Sequence, residues 1–147
     1  MQSRRNIAGA LLALIAILSA GCDASENAVE NRWYTAFQVE RGRSVFQTHC
    51  AACHGAEAQG LTADWKQRTE EGSFPPPPLN GTAHAWHHPL SMLVRAVNDG
   101  GIPLGGTMPG FKGTLGDEDI LAAIAYFQSY WPREIYLHWQ KLGGADS

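Results

Sequence analysis

What this 147-residue chain has little of sets the first limits on what it can be. It has three cysteines, at 22, 50 and 53, and only two of them are neighbours, so a disulfide framework is excluded. No cysteine follows Cys53, whereas a structural zinc site would need a second ligand pair. Positive charge is scarce as well: 11 Lys and Arg against 14 Asp and Glu leave a formal net charge of -3, which argues against a nucleic-acid partner. The longest apolar run, Ile7 to Leu18, is shorter than the ~20 residues a membrane-spanning helix needs. Paired carboxylates, a nucleophile beside a base, and a phosphate-cradling loop are all missing, which leaves no sign of acid–base, nucleophilic or phosphoryl-transfer chemistry. An apolar content of 44% with 17% charged residues still describes a globular chain, and the length suits one domain.

Against that background stands Cys50-Ala51-Ala52-Cys53-His54. C-x-x-C-H is the attachment motif of c-type haem. Two thiols one helical turn apart can each add to a vinyl group of one porphyrin, and the histidine that follows then lies against the ring face, where its imidazole can ligate iron. A redox dithiol shares the C-x-x-C spacing but needs a βαβ setting that the flanking sequence does not provide. A covalently held haem also adds apolar core to a domain of about a hundred residues, which buries limited surface alone.

Residues 1–21 read as an export signal: Arg4 and Arg5 form a positive start, followed by the apolar run. Its end, Leu18-Ser19-Ala20-Gly21-Cys22, resembles a bacterial lipobox, which makes Cys22 the expected site of lipidation. Ser19 departs from the usual aliphatic residue, so cleavage near Ala20 and an uncleaved anchor are the alternatives. Removing residues 1–21 takes away two positive charges and no negative ones, which moves the net charge from -3 to -5. The expected location is the periplasmic side of the inner membrane, an oxidising space in which an unmodified C-x-x-C would tend to close into a disulfide. Residues 22–32 are polar and are expected to be a flexible tether, leaving 33–147 as the domain.

From Trp33 to His49 the pattern is helical. Phe37, Arg41 and Val45 form one stripe, and Val39, Gly42 and Phe46 another. Gly42 costs a helix about 1 kcal/mol relative to alanine, which implies a close helix crossing. A short helix carrying Trp65 is expected over Thr62–Glu70. Four prolines, 75 to 78, fix an extended segment. His84, His87 and His88 invite a copper or zinc reading, although neighbouring histidines diverge along a regular element. Leu90, Leu93, Val94 and Val97 define a second helix, with Met92 as packing material; Ile120, Ile124, Phe127 and Trp131 define a third, led by acids and closed by Pro132. Ile135, Trp139 and Leu142 mark a further amphipathic helix.

Gly42, Phe46, the C-x-x-C-H motif, a later Met-Pro and a C-terminal helix together resemble class I cytochrome c, over roughly Ala36 to Trp131. The resemblance implies an all-α fold of helices and loops wrapped around one covalently attached haem c, with thioethers to Cys50 and Cys53. The family's proximal loop carries Pro-x-Leu-x-Gly, matched here by Pro77, Leu79 and Gly81. There the proline carbonyl accepts a hydrogen bond from the axial histidine, here His54, and the leucine packs on the ring. Met108 lies in Gly105-Gly106-Thr107-Met108-Pro109-Gly110, an irregular loop of the kind that presents a side chain to a metal, and it matches the family's sixth iron ligand. The family pairs the C-terminal helix with the first one, placing Ala123 and Tyr126 against Gly42 and Phe46. The function implied is electron transfer between redox proteins at the outer face of the membrane, with attachment through the N-terminus. A haem enzyme or gas sensor with an open sixth position, and a haem subunit of a larger dehydrogenase or oxidase, are the rival readings.

Overall fold

The computed structural model describes residues 28–146. The export signal, Cys22 and the expected tether as far as residue 27 lie outside the described residues.

Helix α1, Ala36–His49, begins where its end is capped. The Thr35 hydroxyl accepts from the Gln38 amide at 3.2 Å, and the Gln38 side chain accepts from the Thr35 amide at 2.9 Å. That reciprocal pair sets the start at Ala36 and leaves Trp33 and Tyr34 free for other contacts. Of the two stripes on α1, the one carrying Gly42 and Phe46 is buried, while Phe37 faces solvent.

A short α2, Ala51–His54, follows α1. Helix α3 spans Leu90–Asp99, α4 spans Asp117–Ser129 and α5 spans Arg133–Lys141. No strand is present among the described residues, and no helix there is long and apolar enough to cross a membrane. The fold is all-α.

Helix α4 is the centre of the molecule. Ile120 and every residue from Ala122 to Gln128 are buried, because α1 and α3 pack against it and Tyr34, Tyr136 and Trp139 join the same buried cluster. Its crossing with α1 rests on Gly42. A Cβ there would overlap the Ala122 carbonyl, so the two backbones meet directly. The facing residue is thus Ala122, not Ala123, one position from expectation. Tyr126 does oppose Phe46, with ring centroids 5.1 Å apart. At the same crossing Arg41 donates to Asp119 at 2.8 Å and to Glu118 at 2.7 Å, which joins α1 to the acidic first turn of α4.

Helix α3 buries Leu90 and Leu93, with Val94 and Val97 packed against the core. Met92 is 50% exposed, so it is not the packing residue expected. Helix α5 buries Trp139 and also Tyr136, while Leu142 of the expected stripe faces solvent.

Two further expectations are corrected. Residues 28–32 are docked and do not extend the tether. Arg32 donates to the carbonyls of Gln128 and Trp131 at 3.3 and 3.2 Å and lies 3.9 Å from the Tyr136 ring centroid. Carbonyls in the last turn of α4 and in the segment just after it give the guanidinium its partners, and the Tyr136 ring gives it a cation–π face. The helix expected over Thr62–Glu70 does not form either. Asp64 accepts from the Lys66 amide at 3.1 Å, and the Thr69 amide donates to the Ser73 carbonyl at 2.8 Å, so local turns take the groups a helix would use.

Candidate haem site

The site begins where α1 ends. The amide of Cys50 still donates to the Phe46 carbonyl, and the Cys50 carbonyl then accepts from the amides of Cys53 and His54 at 3.0 and 2.9 Å. This single turn fixes the spacing of the two sulfurs and the histidine. Gly55, at φ +79°, stops the helix directly after His54. Both thiols are free; Cys53 is exposed and Cys50 half-buried. Burial, with a contribution from neighbouring Cys53, pushes the Cys50 thiol up to about 11.

His54 is only 7% exposed. Its Nδ1 lies 2.9 Å from the Pro77 carbonyl. A carbonyl can only accept, so Nδ1 carries the proton and Nε2 presents a lone pair. Nε2 has no hydrogen-bond partner among the described residues. Burial lowers the pKa of the ring, while the Pro77 carbonyl pulls it back upward. A neutral imidazole with one nitrogen anchored and the other free suits metal ligation.

Pro77 is held in place by the residues after it. The amides of Leu79 and Asn80 both donate to the Ala58 carbonyl, at 2.7 and 3.1 Å. The Leu79 carbonyl accepts from the Trp131 indole N–H at 2.7 Å. Gly81, at φ +94°, lets the loop lie on Trp131 and Pro132, which a Cβ would meet at 3.3 and 3.2 Å.

Met108 is half-buried in a loop that closes on itself. The Gly101 amide donates to the Met108 carbonyl, and the Gly106 amide to the Gly101 carbonyl, both at 2.9 Å. A side chain at Gly100 would strike the backbone of Met108, Pro109 and Gly110. The returning strand of the loop hydrogen-bonds to the end of α3, through the Phe111 amide to Val97 and the Lys112 amide to Asn98. The Phe111 ring meets His49 edge-on at 6.0 Å, which brings this loop to the Cys50 end of α1.

The histidine-rich segment is organised differently. His84 stacks on Trp65 at 5.1 Å, His87 stacks on Trp86 at 3.7 Å, and His88 meets His84 edge-on at 5.5 Å. Among the described residues no three His, Cys, Asp or Glu side chains converge on a metal position. Burial and the neighbouring His88, His87 and Lys66 charges depress the His84 pKa.

Trp131 and Ala58 are the residues that the sequence pattern did not assign to the site. Trp131 read as one member of a helical stripe, and its partner Leu79 is 52 positions earlier. Only the fold reveals that pairing.

An all-α body, a C-x-x-C-H turn directly after the first helix and a histidine held by a proline carbonyl together define a class I c-type cytochrome. A family model described as "Cytochrome C oxidase, cbb3-type, subunit III" matches residues 37–127, more than half of the chain, and the chain belongs to that family. No curated protein and no solved structure matches it. It is thus a c-type haem protein of electron transfer. The residues present fit haem c: two free thiols one turn apart and a neutral imidazole with an unpartnered Nε2 form a suitable donor set.

Proposed function

We propose that the chain is a mono-haem electron carrier. One haem c is held by thioethers to Cys50 and Cys53 and ligated by His54 and Met108, with Pro77 and Leu79 forming its proximal surroundings. The contact between His54 and Pro77 carries this reading, because it leaves a buried imidazole with one free, unprotonated nitrogen. Haem iron supplies reversible one-electron chemistry when bound. The chain's own residues keep that chemistry to electron transfer. His54 and Met108 would hold the iron between them and leave no position open to substrate, and the thioether of Met108 would favour reduced iron over what a second histidine would give.

The working place is the outer face of a bacterial inner membrane, reached by export and held by lipid on Cys22. The partners are redox proteins, and the family's description points to an oxidase complex as the electron acceptor. A net charge of -5 after loss of residues 1–21 suits a basic docking face on such a partner. Mass spectrometry of the membrane fraction tests the anchor: a diacylglycerol-modified Cys22 supports it, and an amino terminus elsewhere removes it.

The test of the haem reading is an optical spectrum of the matured protein, oxidised and reduced, with and without carbon monoxide. The expected result is a low-spin c-type spectrum with the far-red methionine–iron band, unmoved by carbon monoxide. Ready carbon monoxide binding would replace the carrier with an enzyme or sensor that has an open sixth position.

A further inference from the structure

Trp131 lies beyond the residues that match the family, 37–127, yet it reaches the loop that holds the iron-ligating histidine. We propose that Trp131 is a positioning residue for His54, acting through the proline loop, and that the C-terminal extension thereby sets the reduction potential. This rests on His54 being an axial iron ligand.

Trp131 is 2% exposed, and other rings fix it. Trp139 meets it edge-on at 5.7 Å, and the tilted rings of Tyr136 and Phe127 lie at 6.4 and 6.3 Å. Trp139 and Tyr136 belong to α5, whose own anchors are the Trp139 indole on the His88 carbonyl at 2.8 Å and the Tyr136 hydroxyl accepting from the Trp33 amide at 2.9 Å. The indole N–H of Trp131 is therefore a donor with little freedom to move, and it points at the Leu79 carbonyl at 2.7 Å.

Between that carbonyl and the carbonyl of Pro77 stands only Pro78. Pro78 has φ locked by its ring, so a displacement at Leu79 is only partly absorbed and passes to the Pro77 carbonyl. That carbonyl takes the Nδ1 proton of His54. A strong acceptor there makes the imidazole a better electron donor to iron and stabilises the oxidised state. Without the Trp131 bond, Leu79 keeps a half-buried carbonyl lacking its partner and the loop loses one of its fixings. The bond from His54 to Pro77 weakens, and the midpoint potential rises.

The test compares two substitutions that each remove one indole N–H from the same aromatic cluster, in the haem-loaded protein. Trp131→Phe loses the donor to Leu79; Trp139→Phe loses the donor to His88. Equilibrium redox titration reads the midpoint, and proton NMR reads exchange of the His54 Nδ1–H. The expected result is a positive shift and faster exchange in Trp131→Phe, with a clearly smaller change in both quantities in Trp139→Phe, which loses one anchor of α5 but keeps the donor to Leu79. Gly81→Ala, which presses the loop away from Trp131 while leaving both indole N–H donors in place, should shift the midpoint in the same direction, and it decides the matter if Trp131→Phe does not fold. Equal shifts in the two tryptophan variants, or a wild-type midpoint in both Trp131→Phe and Gly81→Ala, overturn the positioning role. Failure of the underlying reading looks different: the wild-type spectrum itself would then lack histidine ligation.

Discussion

Residues 75–81 hang on Ala58, His54 and Trp131, whereas residues 100–111 hang on their own backbone and the end of α3. The first loop is tied to parts of the chain far apart in sequence and lies against the aromatic centre. The second loop is local, glycine-rich and largely exposed, with Leu104 at 91%. The loop behind His54 is thus coupled to the core, while the loop that carries Met108 meets the body through the end of α3 and the Phe111 contact with His49. Changes in the core should reach His54, while changes near Met108 should stay where they are made. A fixed loop and a more independent one allow Met108 to be altered without loss of the fold.

The largest expected effect falls on the support that the proximal side shares with the rest of the molecule. Gly42→Leu drives a side chain into the Ala122 backbone and should abolish cooperative thermal unfolding measured by circular dichroism. Met108→Ala sharpens the contrast. It should remove the far-red band entirely and open the site to carbon monoxide while helix content stays at the wild-type value. A large loss of helix would mean that the distal loop supports the core after all.

Two glycine substitutions place the loops on one scale. Gly81→Ala combines a positive φ with contact against Trp131 and Pro132, and should cost about 2 kcal/mol in urea unfolding. Gly105→Ala has φ +80° but open space around it, and should cost only about 1 kcal/mol. The smallest effect is invisible at neutral pH. Burial raises the Tyr34 pKa to about 12 from an ordinary value of 10, so its contribution to stability is complete below pH 10 and is lost as pH rises toward 12. By pH 11 this group alone costs the wild type on the order of 1 kcal/mol, and Tyr34→Phe should not show that loss in an alkaline denaturation series.

Local chemistry made much of this legible in the sequence. Periodicity located α1, α3, α4 and α5, because each has an apolar stripe that must be buried. The C-x-x-C-H turn declared itself through residue identity alone. The start of α1 was also open to reading, since Thr35 and Gln38 have capping-box spacing, but the apolar Trp33 and Tyr34 drew the boundary upstream. What sequence did not reveal depends on residues far apart in the chain. Arg32 reads as tether because its partners, the Gln128 and Trp131 carbonyls, are placed only once α4 has formed and the chain has turned toward α5. Buried Gln128, whose Oε1 accepts from the Trp33 indole at 2.6 Å, carries no local sign of being interior. The Trp65 segment failed as a helix because Asp64 competes for the backbone, a preference that periodicity alone does not weigh.

Native-state amide hydrogen exchange on the haem-loaded protein tests the contrast most directly. The Leu79 amide on Ala58 and the Gly106 amide on Gly101 both make good backbone hydrogen bonds, at 2.7 and 2.9 Å, so bond geometry does not separate them. The account predicts that Leu79 exchanges only with global unfolding, as slowly as the middle of α4, and that Gly106 exchanges much faster through local opening. Equal rates at the two amides, or slower exchange at Gly106, would contradict it.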